Sequence, residues 1–372
     1  MGELVISKVD KIYRGRKSAV HAVKALDLTV KPGEIVALLG SSGCGKTSTL
    51  RMIAGFEDVT SGSITLDGRP IHLLPPAQRG VAMAFEAYSL YPPLTIGENI
   101  AFALKSSKLS AAEQDAKVRA MAAMLEIEGI LGKYPSSVSG GQQQRASLGR
   151  ALVRPAGLYL LDEPMGQLEP QLRAILRGRI KHYLRENTCT TILVTHDQTE
   201  ANALADRIAV MEGGVLQQYA TPADLKARPA NLFTGTFIGE PPMNVFPATV
   251  SAEGKTIRFE IEGGARLAYP AAELAKAVRD RLAGRATVTL GVRPHALHAG
   301  KGGFTGKVTS CQWLGDQTHV AVDVGGRTVV SVAHDRVRAR AGDEIALAVA
   351  ASDLHLFDPE TGMALAHGGD AA

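Results

Sequence analysis

Ile35-Val36-Ala37-Leu38-Leu39-Gly40-Ser41-Ser42-Gly43-Cys44-Gly45-Lys46-Thr47-Ser48 is the stretch whose reading decides the fold. Five consecutive apolar residues predict a strand buried on both faces, as in a parallel sheet. The following turn matches GxxxxGK[ST], and Thr47 to Ala54 predicts a helix ending at Gly55. Glycines at 40, 43 and 45 let backbone N–H groups curl around phosphate oxygens, Lys46 adds a cation, and the Thr47 hydroxyl suits Mg²⁺. The helix N-terminus contributes partial positive charge. Cys44 reads as a small residue between glycines, not a redox group. Residues 40–48 together predict a nucleoside triphosphate site.

A second apolar strand, Leu158-Tyr159-Leu160-Leu161, ends in Asp162-Glu163. Strand-end carboxylates opposite such a loop suit Mg²⁺ at Asp162 and a base for water at Glu163. Thr191 to Thr195 repeats the buried-strand pattern. Ser110 and Glu113 form a capping box before Val118, Met121, Ala122 and Leu125 at helical spacing. Ile208–Met211, Gly213-Gly214 and Val215-Leu216 predict a hairpin, and Thr221-Pro222 a helix start.

Beyond Pro229 the texture changes, and Pro241-Pro242 cannot continue a helix. Short β-rich runs follow at 245–250, 256–261, 286–292, 319–324, 328–332 and 345–349, which predict a small barrel or sandwich. The domain boundary is placed near residue 235, giving units of 1–235 and 236–372. The last residues, from about Ala364, are expected to fray.

Composition narrows the class. The 372 residues suffice for two or three domains, and 45% hydrophobic with 21% charged residues excludes wholesale disorder and a coiled-coil rod. A net charge of +4, from 41 basic and 37 acidic residues, is too small to indicate nucleic acid. No apolar run reaches the ~18 residues of a membrane span, and the N-terminus lacks a signal core. Three separated cysteines imply no disulfide framework, in keeping with a cytosolic setting. His295 and His298, three apart without further ligands, read as solvent-exposed and not as a metal pair.

Ser139-Gly140-Gly141-Gln142-Gln143-Gln144-Arg145 opens another helix with glycines at its anion-binding end. With it the chain, over residues 4 to 235, resembles the ATP-binding cassette ATPases: an α/β P-loop NTPase cassette whose helical signature subdomain spans about 86–155. The resemblance implies that two cassettes sandwich two ATPs head to tail, each ATP lying between one phosphate loop and the partner's Ser139, Gly141 and Gln142. It also implies that Tyr13 stacks on adenine and that His196, in Thr195-His196-Asp197-Gln198, is the switch histidine.

The segments Phe237-Ile238-Gly239-Glu240-Pro241-Pro242-Met243-Asn244, Gly291-Val292-Arg293-Pro294 and His355-Leu356-Phe357-Asp358 are similar to carbohydrate-importer ATPases of the maltose type. That likeness implies an oligonucleotide-fold-like, all-β C-terminal domain with a regulatory, dimerising role. It further implies two transmembrane permease subunits, indirectly a solute-binding protein, and a peripheral place on the cytoplasmic face of the inner membrane. Tyr88-Ser89-Leu90-Tyr91-Pro92 then reads as the docking segment for a permease helix, or as an aromatic loop packed on its own domain.

The chain also departs from that family. His295 replaces a more usual Glu after Arg-Pro, Val138 a Leu, and Glu86 the Gln that touches Mg²⁺. Gly166-Gln167-Leu168-Glu169 replaces Ser-x-Leu-Asp. Glu86 either ligates Mg²⁺ directly or faces the γ-phosphate; simple drift is the alternative for each change, and two acidic-side changes within one ATP sandwich speak against it. The leading expectation is an ATPase energising import of a carbohydrate, polyol, glycerol or glycerol phosphate. The alternatives are a weakly hydrolysing half of a mixed cassette dimer and a soluble repair or translation ATPase. The last lacks the second cassette or long helical insertion usual in one chain.

Overall fold

The computed structural model describes residues 2–15 and 18–370, with the main chain alone at 301 and 302. They form two compact units, Met1–Pro222 and Ala223–Ala372. The first begins with β1 (Leu4–Arg14), β2 (Ala19–Val30) and β3 (Ile35–Gly40), then α1 (Lys46–Ala54), β4 (Ser61–Leu66), β5 (Arg69–Pro70) and β6 (Val81–Ala84). Helices α2 (Ile96–Phe102), α3 (Ala111–Met124) and α4 (Gly140–Leu152) follow. The unit closes with β7 (Leu158–Asp162), α5 (Pro170–Glu186), β8 (Thr191–Val194), α6 (Gln198–Leu204), β9 (Arg207–Glu212) and β10 (Val215–Ala220).

Two sheets result. One is antiparallel where its pairs are formed, in the order β2-β1-β4-β5; the other runs β10-β9-β3-β8-β7-β6 and is parallel apart from the β9–β10 hairpin. Every residue of β3, β7 and β8 is buried, which is why each reads as an unbroken apolar run. Leu4, Ile6 and Val9 of β1 share a core with Val36, Leu38, Leu160 and Ile192 of the parallel sheet and Leu50 and Ile53 of α1.

The helical part is set by local signals. Thr95 with Glu98, Ser110 with Glu113, and Ser139 with Gln142 each make both bonds of a capping box, so α2, α3 and α4 start where their sequences say. Gly149 of α4 lets α2 and α3 approach: a Cβ there would lie 3.1 Å from Leu125 Cδ1 and 3.4 Å from Ile100 Cδ1.

The second unit takes in α7 (Pro222–Ala227), apart from its first residue, and α8 (Leu232–Phe237) before its strands begin. They are β11 (Asn244–Glu253), β12 (Thr256–Ile261), β13 (Arg266–Pro270), and, after α9 (Lys276–Leu282), β14 (Thr287–Val292), β15 (His298–Trp313), β16 (Thr318–Val324), β17 (Arg327–Ala333), β18 (Glu344–Ala348), β19 (Leu354–Phe357) and β20 (Ala364–His367). They make a six-stranded sheet, β13-β12-β11-β14-β19-β20, and a four-stranded one, β17-β16-β15-β18. Alternation along β16 buries Thr318, Val320, Val322 and Val324, and these valines join Phe246, Phe259 and Leu290 of the other sheet in one core.

Two sequence expectations need comment. From Ala364 to Asp370 the tail is ordered: β20 pairs with β19, the Gly368 amide donates to Leu354 O at 2.7 Å, and buried His367 packs on His355 and Phe357, while 371 and 372 lie outside the described residues. Neighbours distant in sequence hold it, which composition does not register. The division between units falls at the first residue of α7, whereas the boundary expected from the sequence lies near 235. Residues 230–235 are bonded to the C-terminal strands, Leu232 N to Gly362 O at 2.7 Å and Ala364 N to Ala230 O at 2.9 Å.

Candidate functional site

Strands β3, β8 and β7 are parallel neighbours, so their C-terminal ends lie side by side and the loops leaving them converge. Such a crevice is where open α/β sheets bind ligands. The first loop runs from Gly40 into α1. Gly45 caps that helix at φ 102°, and a Cβ there would meet Ala22 O at 2.4 Å, so only glycine fits. The buried Lys46 Nζ donates to Gly40 O and Ser41 O, both at 2.8 Å, and therefore sits curled inside its own loop. Ser41 Oγ donates to the Glu212 carboxylate at the end of β9. Cys44 is buried, its Sγ 3.6 Å from Lys46 Nζ. Tyr13 of β1 donates to Ser48 Oγ at 3.1 Å, with Lys11 Nζ 4.7 Å from its ring centre.

A cavity of about 430 Å³ collects Ser42, Gly43, Lys46 and Thr47 from this loop with Glu86, Glu163 and His196. Gln144, Gly166, Gln167 and Val194 complete its wall. Glu163 is a non-glycine residue at φ 49°, a conformation that costs of order 1 kcal/mol unless its surroundings impose it. They do: its amide donates to Val194 O at 2.9 Å, and its carbonyl accepts from Gln144 Nε2 at 2.7 Å. The Gln144 side-chain oxygen in turn accepts from the Gln167 amide at 3.0 Å. Glu163 Oε2 lies 2.7 Å from His196 Nδ1.

Asp162 sits beside this cavity, buried, with Oδ1 lacking a hydrogen-bond partner. Burial first, then the charges of Glu86 and Glu163, push its carboxyl up to about 6. Crowded carboxylates with an orphan oxygen suit a hard cation. Among the described residues no group of three or more His, Cys, Asp or Glu is arranged as a metal cage. Mg²⁺ sites of the phosphate-assisted kind use one or two carboxylates with substrate oxygens, and that donor set is present.

The switch loop is braced from behind. The Thr195 hydroxyl donates to Glu200 Oε2 at 2.8 Å, and Asp197 caps α6 by accepting from the Glu200 amide at 3.0 Å. Arg173 of α5 donates to Asp197 Oδ2 at 3.0 Å and to the carbonyls of Gly166 and Leu168 at 3.3 and 3.2 Å. One guanidinium thus joins the loop after β7 to the loop after β8.

Other sequence candidates lie outside the cavity wall. Ser139 and Gln142 are engaged with each other at the start of α4. Gly141 packs on the same chain's Gln167, where a Cβ would stand 3.1 Å from its carbonyl oxygen. Tyr13 flanks α1 and does not line the wall. Sequence reading missed Gln144, Arg173, Glu200 and Glu212. The run Gln142-Gln143-Gln144 at a helix start was the one available hint. In the aromatic segment, the Tyr91 and Phe102 rings lie tilted with centres 4.6 Å apart and Arg150 donates to Tyr88 O and Ser89 O, yet Tyr91 and Phe102 stay exposed.

No helix among the described residues is long and apolar enough to cross a membrane. The family model for ABC transporters matches residues 23–166, and that for TOBE domains matches 256–357. An sn-glycerol-3-phosphate import ATP-binding protein of Cereibacter sphaeroides is 41% identical over 369 residues, covering 98% of this chain and 100% of that one. A lactose transport ATP-binding protein of Rhizobium radiobacter is 38% identical over 365 residues, 96% of this chain and 98% of that one. Among solved structures, a dimeric ATP-binding cassette in a post-hydrolysis state with ADP and Pi superposes with a TM-score of 0.55 at 26% identity, over 59% of this chain and 98% of that one. With the glycine-rich turn before α1, Glu163 and His196 lining one cavity, and with relatives matched along nearly their whole length, the chain belongs to the ATP-binding cassette transporter family and is an ATPase of that family.

Proposed function

We propose that this chain binds MgATP through residues 40–48 and hydrolyses it to drive import of a carbohydrate, polyol, glycerol or glycerol phosphate, docked on permease subunits at the cytoplasmic face of the membrane. The observation that carries the reading is the single cavity holding Lys46, Thr47, Glu86, Glu163 and His196. Lys46 Nζ would exchange the Gly40 and Ser41 carbonyls for phosphate oxygens. Thr47, Asp162 and Glu86 would hold Mg²⁺, which when bound neutralises charge on the phosphates. Glu163 would take the proton from the attacking water, with His196 at 2.7 Å steadying its carboxylate. Gln144 is a positioning residue, because it fixes the Glu163 carbonyl and the Gln167 amide together. Ser139, Gly141 and Gln142 stand apart from their own chain's cavity, which supports a role toward the ATP of a second cassette. Tyr13, at the flank of α1, would stack on adenine.

The test is uptake. A strain lacking this chain is assayed with labelled lactose, polyols, glycerol and sn-glycerol 3-phosphate. Uptake of one solute class should fall to background, return with the parent chain, and stay absent with Lys46→Ala or Glu163→Gln, the latter lowering turnover at least ~10²-fold. Unimpaired uptake of the whole panel would overturn the assignment.

A further inference from the structure

The second unit contains a cavity of about 240 Å³ that the nucleotide chemistry does not use. Its chemistry-bearing walls are Lys226 of α7, Glu240, Arg293 and His295 just after β14, Gln317, and His334 after β17. Arg293 forms the buried part. It is 4% exposed and donates through Nη1 to Gly235 O at 2.8 Å and to Ile238 O, and through Nη2 to Lys226 O at 3.0 Å. Its Nε is buried with no hydrogen-bond partner. It makes no ion pair among the described residues, and burial alone pulls it down to about 10, so it remains cationic at neutral pH. A buried guanidinium normally finds a carboxylate; this one finds only carbonyl oxygens.

The remaining charges do not cancel it. Lys226 and the exposed imidazoles of His295 and His334 stand around the opening, against the single carboxylate of Glu240. Burial, followed by the charges of Lys226 and Arg293, holds His295 below its usual value, with the Asp353 carboxylate working against that fall. The cavity lies below the ~300 Å³ at which drug-sized ligand sites begin, too small for a nucleotide and suited to a tetrahedral oxyanion carrying at most a few carbons.

We propose that this cavity binds a small phosphate-class anion, either inorganic phosphate or the head of a phosphomonoester, between Lys226 and His295 over the buried Arg293 cation. The donors at the opening are of the right kind, an ammonium, imidazole N–H groups and the Gln317 amide, and the buried Arg293 adds its charge. The site is separate in sequence from residues 40–48, so it stands or falls independently of the nucleotide site.

The test is calorimetric titration of the full chain with inorganic phosphate, sn-glycerol 3-phosphate and, as the uncharged control, glycerol. Because the nucleotide loop also accepts phosphate, the same titrations are run on Lys46→Ala. Binding of phosphate or its monoester should survive Lys46→Ala and weaken at least about tenfold in both Lys226→Glu and His295→Glu, as expected when a carboxylate is set facing the anion. Both changes are on exposed side chains, and an unaltered melting profile with retained ATP binding shows that the variants fold. Phosphate binding alone identifies the free ion as ligand, and binding of the ester alone identifies a phosphorylated small molecule. Loss of all anion binding in Lys46→Ala, equal affinity in the parent and the two Glu variants, or no binding up to about 10 mM would each overturn the site.

Discussion

Glu200 shows how one side chain loads the switch loop. Its carboxyl is buried in α6, accepts the Thr195 hydroxyl at one oxygen, and leaves Oε1 without a partner. Burial pushes it up to about 7 from 4.5, the Thr195 bond working against that rise and the charges of Asp197 and Glu163 adding to it. An acid whose folded pKa is raised binds its proton more tightly in the native state. Its favourable contribution is therefore complete below the unfolded value near 4.5 and is lost as pH climbs through about 7. At roughly 1.4 kcal/mol per unit, ionisation costs the fold about 3 kcal/mol by pH 8. Glu200→Gln keeps an acceptor for Thr195 and cannot ionise. Denaturant unfolding should find variant and parent within about 1 kcal/mol at pH 5 and the variant more stable by ~2–3 kcal/mol at pH 8. A gap that does not change with pH would show that the buried carboxyl carries no ionisation penalty.

At the scale of elements, α5 begins without the cap that its neighbours have. Glu169 occupies the N-cap with extended backbone, φ −61° and ψ 146°, and Pro170 follows, but no side-chain cap bond forms. Asp is a strong N-cap because its shorter carboxylate reaches the free amides of the first turn; Glu has one methylene too many. Glu169→Asp should therefore raise unfolding stability by about 0.5–1 kcal/mol, read from the denaturant midpoint. A lower midpoint would mean that the longer side chain is already better placed in this loop. The same distinction between local and distant causes separates what the sequence disclosed from what it hid. β3, α1 and the capping boxes of α3 and α4 were legible because strand burial, the glycine turn and the caps are written within a few residues. β15 was not, since Gly300, Gly303 and Gly306 read as loop, and the pairing with β18 that makes it a strand lies some forty residues on. β20 is a short run, Ala364 to His367, held by β19 and by the Ala230 carbonyl, both distant in sequence or in another element. In the site, the phosphate loop and Asp162-Glu163 announce themselves by spacing, whereas Gln144 acts on residues 19 and 23 positions away and has no local signature.

For the whole molecule, the division of the chain predicts where it can be cut. Every residue assigned to nucleotide chemistry, from Tyr13 to His196, lies within Met1–Pro222, which has its own core around Leu38, Leu160 and Ile192. The second unit has a separate core running from Phe246 to Ala366. α8 goes with the second: Gly235 packs so tightly that a Cβ would stand 3.2 Å from Phe357 and 3.3 Å from Met243, and Asn231 forms an isolated bridge with Met363. A chain ending at 222 leaves the first core whole. One ending at 235, the boundary expected from the sequence, would keep Ala230, Leu232 and Gly235 without Ala364, Gly362 and Phe357, to which they are bonded or packed. Limited proteolysis should leave the 1–222 chain intact and trim the 1–235 chain back past α8. Calorimetry should find ATP affinity of 1–222 within about threefold of the full chain, a difference below ~1 kcal/mol. A folded 1–222 chain that fails to bind ATP would show that the second unit helps to build the nucleotide site. The shortened chain should also lose the phosphate binding that Lys46→Ala leaves in the full chain, because Lys226, Arg293 and His295 are removed with the second unit.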